Sequence, residues 1–171
     1  MTGEEIRLHG ERVVVRSLTD ADLPALEAVM ACPGVRAWWW DFDIGEFAPH
    51  TRDPDVEALV IEHDGAVVGY LQYSEEVSPQ YRFAGIDLSL HDDVQGRGLG
   101  SDAVRTVARH LFEARGHHRL TIDPAAANTR AIRCYEKVGF RAVGVMREYE
   151  RAADGTWHDG LLMELLRPDL R

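Results

Sequence analysis

Thiols are nearly absent from this chain of 171 residues: Cys32 and Cys134 are the only two, and they lack C-x-x-C spacing. A disulfide framework, a cysteine zinc site and a dithiol redox pair are thereby set aside, and both cysteines read as reduced structural residues. Long apolar runs are missing as well. No stretch approaches the roughly twenty residues of a membrane span, and the Met1-Thr2-Gly3-Glu4-Glu5 start is acidic, unlike a signal peptide. The cytoplasm is the expected location, with no membrane partner. Positive charge is scarce: 19 Lys and Arg stand against 29 Asp and Glu, a formal net charge of −10. Nucleic acid is therefore not an expected partner. A cationic small molecule suits such a surface, although solubility alone would explain the charge equally well. Repeats, low-complexity segments and linkers are also lacking, so residues 1–171 read as one domain with a full core.

What the chain does contain is an ordered alternation of strand and helix patterns. Arg12–Arg16 reads as a first strand. Thr19-Asp20-Ala21-Asp22 resembles a capping box, followed by Leu23, Leu26, Val29 and Met30 at helical spacing, and Cys32-Pro33-Gly34 ends that helix. Glu57–Glu62 and Ala66–Tyr73 form a hairpin through His63-Asp64-Gly65. An apolar strand, Phe83–Leu90, precedes a helix with Ala103, Val104, Val107, Ala108, Leu111 and Phe112 on one face, which Gly116 stops. His117 and His118 open the next strand. They have no further ligands at metal spacing and read as surface histidines, so no metal is expected. Two closing strands, Arg141–Tyr149 and Trp157–Leu166, are joined by Ala153-Asp154-Gly155-Thr156.

The stretch from Asp87 to Tyr135 organises the rest. Gly96, Gly98 and Gly100 alternate between a strand and a helix start, where backbone N–H groups can turn toward one point beside the helix dipole. Such a loop suits a phosphate or pyrophosphate, the plainer alternative being turn punctuation. It is neither of two familiar phosphate loops. Ser101 stands where G-x-G-x-x-G needs its last glycine, and no Gly-Lys-Ser/Thr follows.

Gln95-x-x-Gly98-x-Gly100 on a strand–loop–helix resembles the acetyl-CoA pyrophosphate loop of the GCN5-related N-acetyltransferases (GNAT). Asn128 followed by Ala131-Ile132-x-x-Tyr135-x-x-x-Gly139-Phe140 resembles the second cofactor segment of that superfamily. More narrowly, Gly85-Ile86-Asp87-x-Ser89-Leu90, Thr121-x-Asp123-Pro124 and Asn128-x-Arg130-Ala131-Ile132-Arg133-Cys134-Tyr135-Glu136-Lys137 are similar to the aminoglycoside 6′-N-acetyltransferases. The resemblance implies a single-domain α/β acyl-CoA N-acyltransferase fold: a mixed, mostly antiparallel sheet flanked by helices, whose fourth and fifth strands splay apart for the pantetheine arm. The backbone of Ser89 and Leu90 would hold that arm. The amides of Gln95, Gly96, Arg97, Gly98, Leu99, Gly100 and Ser101 would hold the pyrophosphate, and Asn128 would bond further along. A monomer or homodimer is compatible with this picture.

Acetyl transfer to an amine needs a neutral amine, a polarised carbonyl and a proton for the departing thiolate. A carboxylate near a primary ammonium helps bind it and take its proton. Asp87, inside an apolar strand where an unpartnered carboxylate is costly, is the expected base. Asp123 is expected to bind a cationic substrate, or else to serve as a plain cap before Pro124. Tyr135 is the expected proton donor to the thiolate, or else a packing residue. Trp38, Trp39 and Trp40 are consecutive and cannot all face one core. Trp38, Trp39 and Asp41, with further acids at Asp43, Glu46 and Asp53, read either as an aromatic and acidic wall for an amino sugar or as a packing loop. The expected activity is acetyl transfer to the 6′-amino group of an aminoglycoside, an antibiotic-resistance reaction. The alternatives are another amine (a polyamine, a siderophore precursor, a protein N-terminus) and a non-catalytic acyl-CoA-binding domain.

Overall fold

Apolar runs in the middle of the chain are continuous rather than alternating, the pattern of strands covered on both faces. The computed structural model, which describes residues 5–47, 53 and 55–171, builds them into one sheet. The acidic start Met1–Glu4 and the Glu46 carboxylate lie outside the described residues. In chain order the elements are β1 (Arg7–His9), β2 (Val14–Ser17), α1 (Leu23–Ala31), α2 (Pro33–Arg36), β3 (Val56–His63), β4 (Ala66–Glu76), β5 (Phe83–Leu90), α3 (Leu99–Glu113), β6 (Arg119–Ile122), α4 (Thr129–Val138), β7 (Arg141–Arg151) and β8 (Trp157–Leu166). The sheet order is β1-β2-β3-β4-β5-β6-β8-β7, and only β5 and β6 run parallel.

Each face of the sheet has its own cover. Leu59, Ile61, Leu71 and Ile86 face α3, meeting Val104, Val107, Ala108 and Leu111. Ala58, Val60 and Tyr70 face the other way, toward Leu18 and Leu26 of the α1 side. The β3–β4 hairpin turns on Asp64 and Gly65, both at positive φ (50° and 78°), the backbone that an Asp-Gly pair favours.

Three expectations need adjustment. The N-terminal strand is two strands, because the three-residue β1 is too short to leave a sequence pattern and β2 begins at Val14 rather than Arg12. Pro33 does end α1, but it also opens the four-residue α2, since proline suits the first turn of a helix. The two histidines separate. His118 is exposed, whereas His117 is buried with Nε2 2.7 Å from Glu75 Oε1, and Glu75 also binds Arg115 at 2.7 Å. A charged partner waiting on β4 is what allows that imidazole inside.

The feature that positions the site is a split in the sheet. β5 and β6 pair only at Ala84↔Leu120 and Gly85↔Thr121. Pro124, which has no N–H to donate, follows the end of β6, and residues 86–90 of β5 are left with one open edge. This is the expected V, and the fourth and fifth strands of the sequence pattern are β5 and β6 here because the short β1 adds one strand at the start.

Candidate functional site

The loop at the end of β5 is shaped by its side chains as well as its glycines. Gln95 Nε2 donates to Leu90 O (2.8 Å) and to Asp92 Oδ1 (3.2 Å), and Gln95 Oε1 accepts from Arg130 Nη1 (2.5 Å). Gly96 and Gly98 have φ of 75° and 82°, and Gly98 is the N-cap of α3. The first backbone bond of α3 runs from Asp102 N to Gly98 O (3.1 Å), so the N–H groups of the preceding turn have no partner within the helix. Space around Gly96 is open. Together these form an anion cradle of main-chain donors. Gly100 plays a different part from its two neighbours. A Cβ there would stand 3.3 Å from both Cys134 Sγ and Leu90 Cδ1, so this glycine lets α3 lie close to β5 and α4. Leu99 and Ser101 are buried, and only their backbones can serve the cradle.

Main-chain direction matters along the open edge of β5. His91 N donates to Val68 O (2.8 Å) on the β4 side. Strand alternation then turns the Leu90 N–H toward the open side and that of Ser89 toward β4. The Ser89 hydroxyl points to Met30 Sδ (3.3 Å), away from the loop. Asn128 caps α4, accepting from Ala131 N at 3.2 Å through its side-chain oxygen.

The acids converge at the mouth of the split. Asp87 is half-buried and accepts from Leu88 N at 2.9 Å. Burial, and then the charges of Asp123 and Glu150, push its carboxyl up to about 7 against the pull of that N–H. Tyr135 on α4 is buried, packed against Phe140. Burial first, then the negative charge of Asp87, holds its hydroxyl well above 10, so it stays protonated at neutral pH. Asp87, Asp123 and Tyr135 thus stand within one another's fields, as the sequence pattern anticipates.

Two residues on β7 that belong to no sequence motif join them. The Tyr149 hydroxyl donates to Asp123 Oδ2, a bond that, with burial, pushes the phenol up to about 12. Glu150 is raised by burial and by Asp123, with His158 opposing. A register slip between Met146 and Glu150, with Glu148 at φ 50° donating to Asp159 Oδ1 (2.8 Å), swings this segment toward the cleft. Gly160 across the hairpin leaves the room: a Cβ there would be 2.6 Å from the Tyr149 ring. A glycine inside a closing strand is the one hint the sequence carries. Tyr149→Phe is expected to raise the KM of a cationic acceptor about three- to ten-fold, the net worth of one ordinary hydrogen bond. Its kcat and the KM of the acyl donor should stay within two-fold in steady-state assays.

The three tryptophans divide. Trp39 packs inward, edge-on to Tyr70 with ring centroids 5.9 Å apart, while Trp38 and Trp40 are each 37% exposed. Trp40 Nε1 donates to Arg151 O at 2.6 Å and so ties this segment to β7 beside Glu150. Asp41 is exposed. Among the described residues no group of three or more His, Cys, Asp or Glu is arranged to hold a metal.

Comparison with known proteins agrees with this geometry. The acetyltransferase (GNAT) family model matches residues 18–140. The aminoglycoside N(6′)-acetyltransferase type 1 of Klebsiella pneumoniae is 27% identical over 157 residues, covering 80% of this chain and 77% of that protein. Among solved structures, AAC(6′)-Ib in complex with parmomycin and acetyl-CoA superimposes with a TM-score of 0.76 at 26% identity, over 93% of this chain and 96% of that one. RimJ of Mycobacterium smegmatis, in complex with CoA-disulfide, shares the fold with a TM-score of 0.81 at 24% identity, over 97% and 88% of the two chains. The matched region runs through the glycine loop, the split strands and Tyr135, and this chain belongs to the acetyltransferase (GNAT) family.

Proposed function

We propose that the protein transfers the acetyl group of acetyl-CoA directly to a primary amine of a small polycationic acceptor, the 6′-amino group of an aminoglycoside. The observation that carries this reading is the gathering of Asp87, Asp123 and Glu150 at the open edge of β5, next to the anion cradle. The cosubstrate fits that frame. The N–H groups of the first turn of α3 suit its pyrophosphate, and the unpaired edge of residues 86–90 suits its arm.

Acetyl-CoA supplies an activated acetyl group and a thiolate that departs. The chain's residues supply the proton traffic. Asp123 and Glu150 attract the ammonium groups of the acceptor. Asp87, poised near neutrality, takes a proton from the reacting ammonium, and the freed amine attacks the acyl carbon. The N–C bond forms as the C–S bond breaks, the Tyr135 hydroxyl gives its proton to the sulfur, and the surplus proton on the new amide nitrogen passes through solvent to restore that hydroxyl. Trp40, tied to β7, and the exposed Trp38 offer faces to the sugar rings of the acceptor.

Thiol release by purified protein from acetyl-CoA, measured with kanamycin, tobramycin, spermidine, lysine and a short peptide, tests the reading. Turnover is expected with the two aminoglycosides. Turnover of spermidine alone would overturn the aminoglycoside and leave a polycationic acceptor standing, and turnover of the peptide alone would overturn the acceptor class and leave acetyl transfer standing.

A further inference from the structure

The N-terminal hairpin reaches across to the glycine loop through one side chain. Arg12, between β1 and β2, belongs to no motif of the sequence, yet its Nη1 donates to Arg97 O at 2.5 Å. The same nitrogen lies 3.8 Å from where a Cβ on Gly98 would stand. Arg12 is also pinned at its main chain on both sides. Its N–H donates to Asp102 Oδ2 (2.8 Å), and its carbonyl oxygen is 2.9 Å from His63 Nδ1.

The clamp is built into α3 itself. Asp102, in the first turn of that helix and only 5% exposed, accepts from Glu11 N (3.1 Å) and Val13 N (3.1 Å) as well as from Arg12. Gly10 makes the approach possible, since a Cβ there would be 2.7 Å from both Asp102 Oδ2 and Thr106 Oγ1. A buried carboxylate that grips a hairpin tip by three N–H groups is far more construction than an exposed arginine–carbonyl contact needs. The result is a guanidinium fixed on the rim of the anion cradle, in a chain of net charge −10. A guanidinium has five N–H donors in a planar fork, and the Arg97 carbonyl accounts for one.

We propose that Arg12 is a coenzyme A-binding residue whose guanidinium ligates a phosphate group of the cosubstrate alongside the loop N–H groups, with Asp102 as the positioning residue. The proposal rests on the acetyl-CoA reading above. The chemistry is the same for the diphosphate and for the 3′-phosphate, and the test separates them.

Calorimetric titration of coenzyme A and of 3′-dephospho-coenzyme A into wild type, Arg12→Ala and Arg12→Lys, at low and high salt, measures binding without turnover. Thermal midpoints establish that the variants are folded. Arg12→Ala is expected to bind coenzyme A about ten-fold or more weakly at low salt, with the gap narrowing as salt rises and Lys recovering part of it. A loss that persists with the dephospho compound assigns the diphosphate, and one confined to coenzyme A assigns the 3′-phosphate. Arg12→Ala binding within two-fold of wild type overturns the proposal and leaves the acetyl-CoA reading intact. A loss for Arg12→Ala that is equal at low and high salt also overturns it, reducing Arg12 to a fastener of the Arg97 carbonyl. Failure of wild type to bind either compound sinks the acetyl-CoA reading and this proposal together.

Discussion

Asp87→Asn is expected to lower kcat with an aminoglycoside acceptor by about 100- to 1,000-fold, the range a positioned general base contributes. The pH profile identifies the cause. The Asp87 carboxyl is pushed up to about 7, so kcat/KM of wild type should climb with pH up to about 7 as the base loses its proton. That limb should vanish in the Asn variant. A bound ammonium favours the carboxylate form, so the limb in kcat should lie at lower pH than the limb in kcat/KM. The same shift fixes a stability effect of opposite sign. The folded carboxyl holds its proton to about 7, against 3.8 for the unshifted group. Folded protein therefore binds more protons than unfolded protein between those values, and stability falls as pH rises through them. Asp87→Asn should be more stable than wild type at pH 8, by about 2 kcal/mol, half the worth of the full displacement because the side chain is partly exposed to screening solvent, and the gap should close below about pH 4. A rate loss under ten-fold would mean another base, and equal stability at pH 8 would mean an unstrained carboxylate.

A carboxyl that weakens its own fold is consistent with the rest of the cleft. Burial, and then the charge of Asp123, raises the proton affinity of Asp87 and of Glu150, and the charge of Glu150 adds to that of Asp87. On the proposed reading, a polycationic acceptor would relieve that repulsion on binding, and acceptor binding and base activation would share one electrostatic cause. Tyr149 holds the Asp123 carboxyl by a bond from across the split.

What could be read from the sequence follows from the range of the interactions concerned. The glycine loop and the Asp64-Gly65 turn depend on backbone chemistry within a few residues, and each stands where its residues indicate. The apolar face of α3 was legible for the same reason. Long-range partners were not. His117 reads as a surface residue until Glu75 arrives from β4, and Arg12 reads as a strand residue until Asp102 arrives from α3. β8 lies between β6 and β7, a pairing that no local pattern encodes. Tyr149 and Glu150 enter the cleft through a register slip, which shows only once the partner strand is in place. Of the three alternating glycines, two shape the loop as the pattern suggests. The third serves helix packing, and only the position of Cys134 reveals it.

Gly139→Ala, within the same segment as Tyr135, is expected to lower the melting temperature by about 10 °C. Gly139 is the C-cap of α4 at φ 116°, donating to Tyr135 O (3.2 Å) and Glu136 O (3.1 Å). A Cβ there would stand 2.0 Å from Asp169 O and 2.9 Å from Asp169 C, which are backbone atoms and cannot rotate aside. The tail carrying them is fastened nearby. Arg141 binds Asp169 at 2.5 Å, and Arg171 N donates to Val138 O at 2.9 Å. Left-handed backbone strain and forced displacement of the tail together cost about 3–5 kcal/mol, and at this chain length each kcal/mol is worth about 2–4 °C. Gly65→Ala is the control, with positive φ (78°) and nothing within 4 Å of the new Cβ. It should cost only about 1 kcal/mol, the strain without the clash. Equal melting shifts for the two variants would mean that the tail yields and that the glycine before Phe140 serves the backbone alone. A larger shift at Gly139 makes it the point where the C-terminal tail locks α4, and with it Tyr135, beside the split.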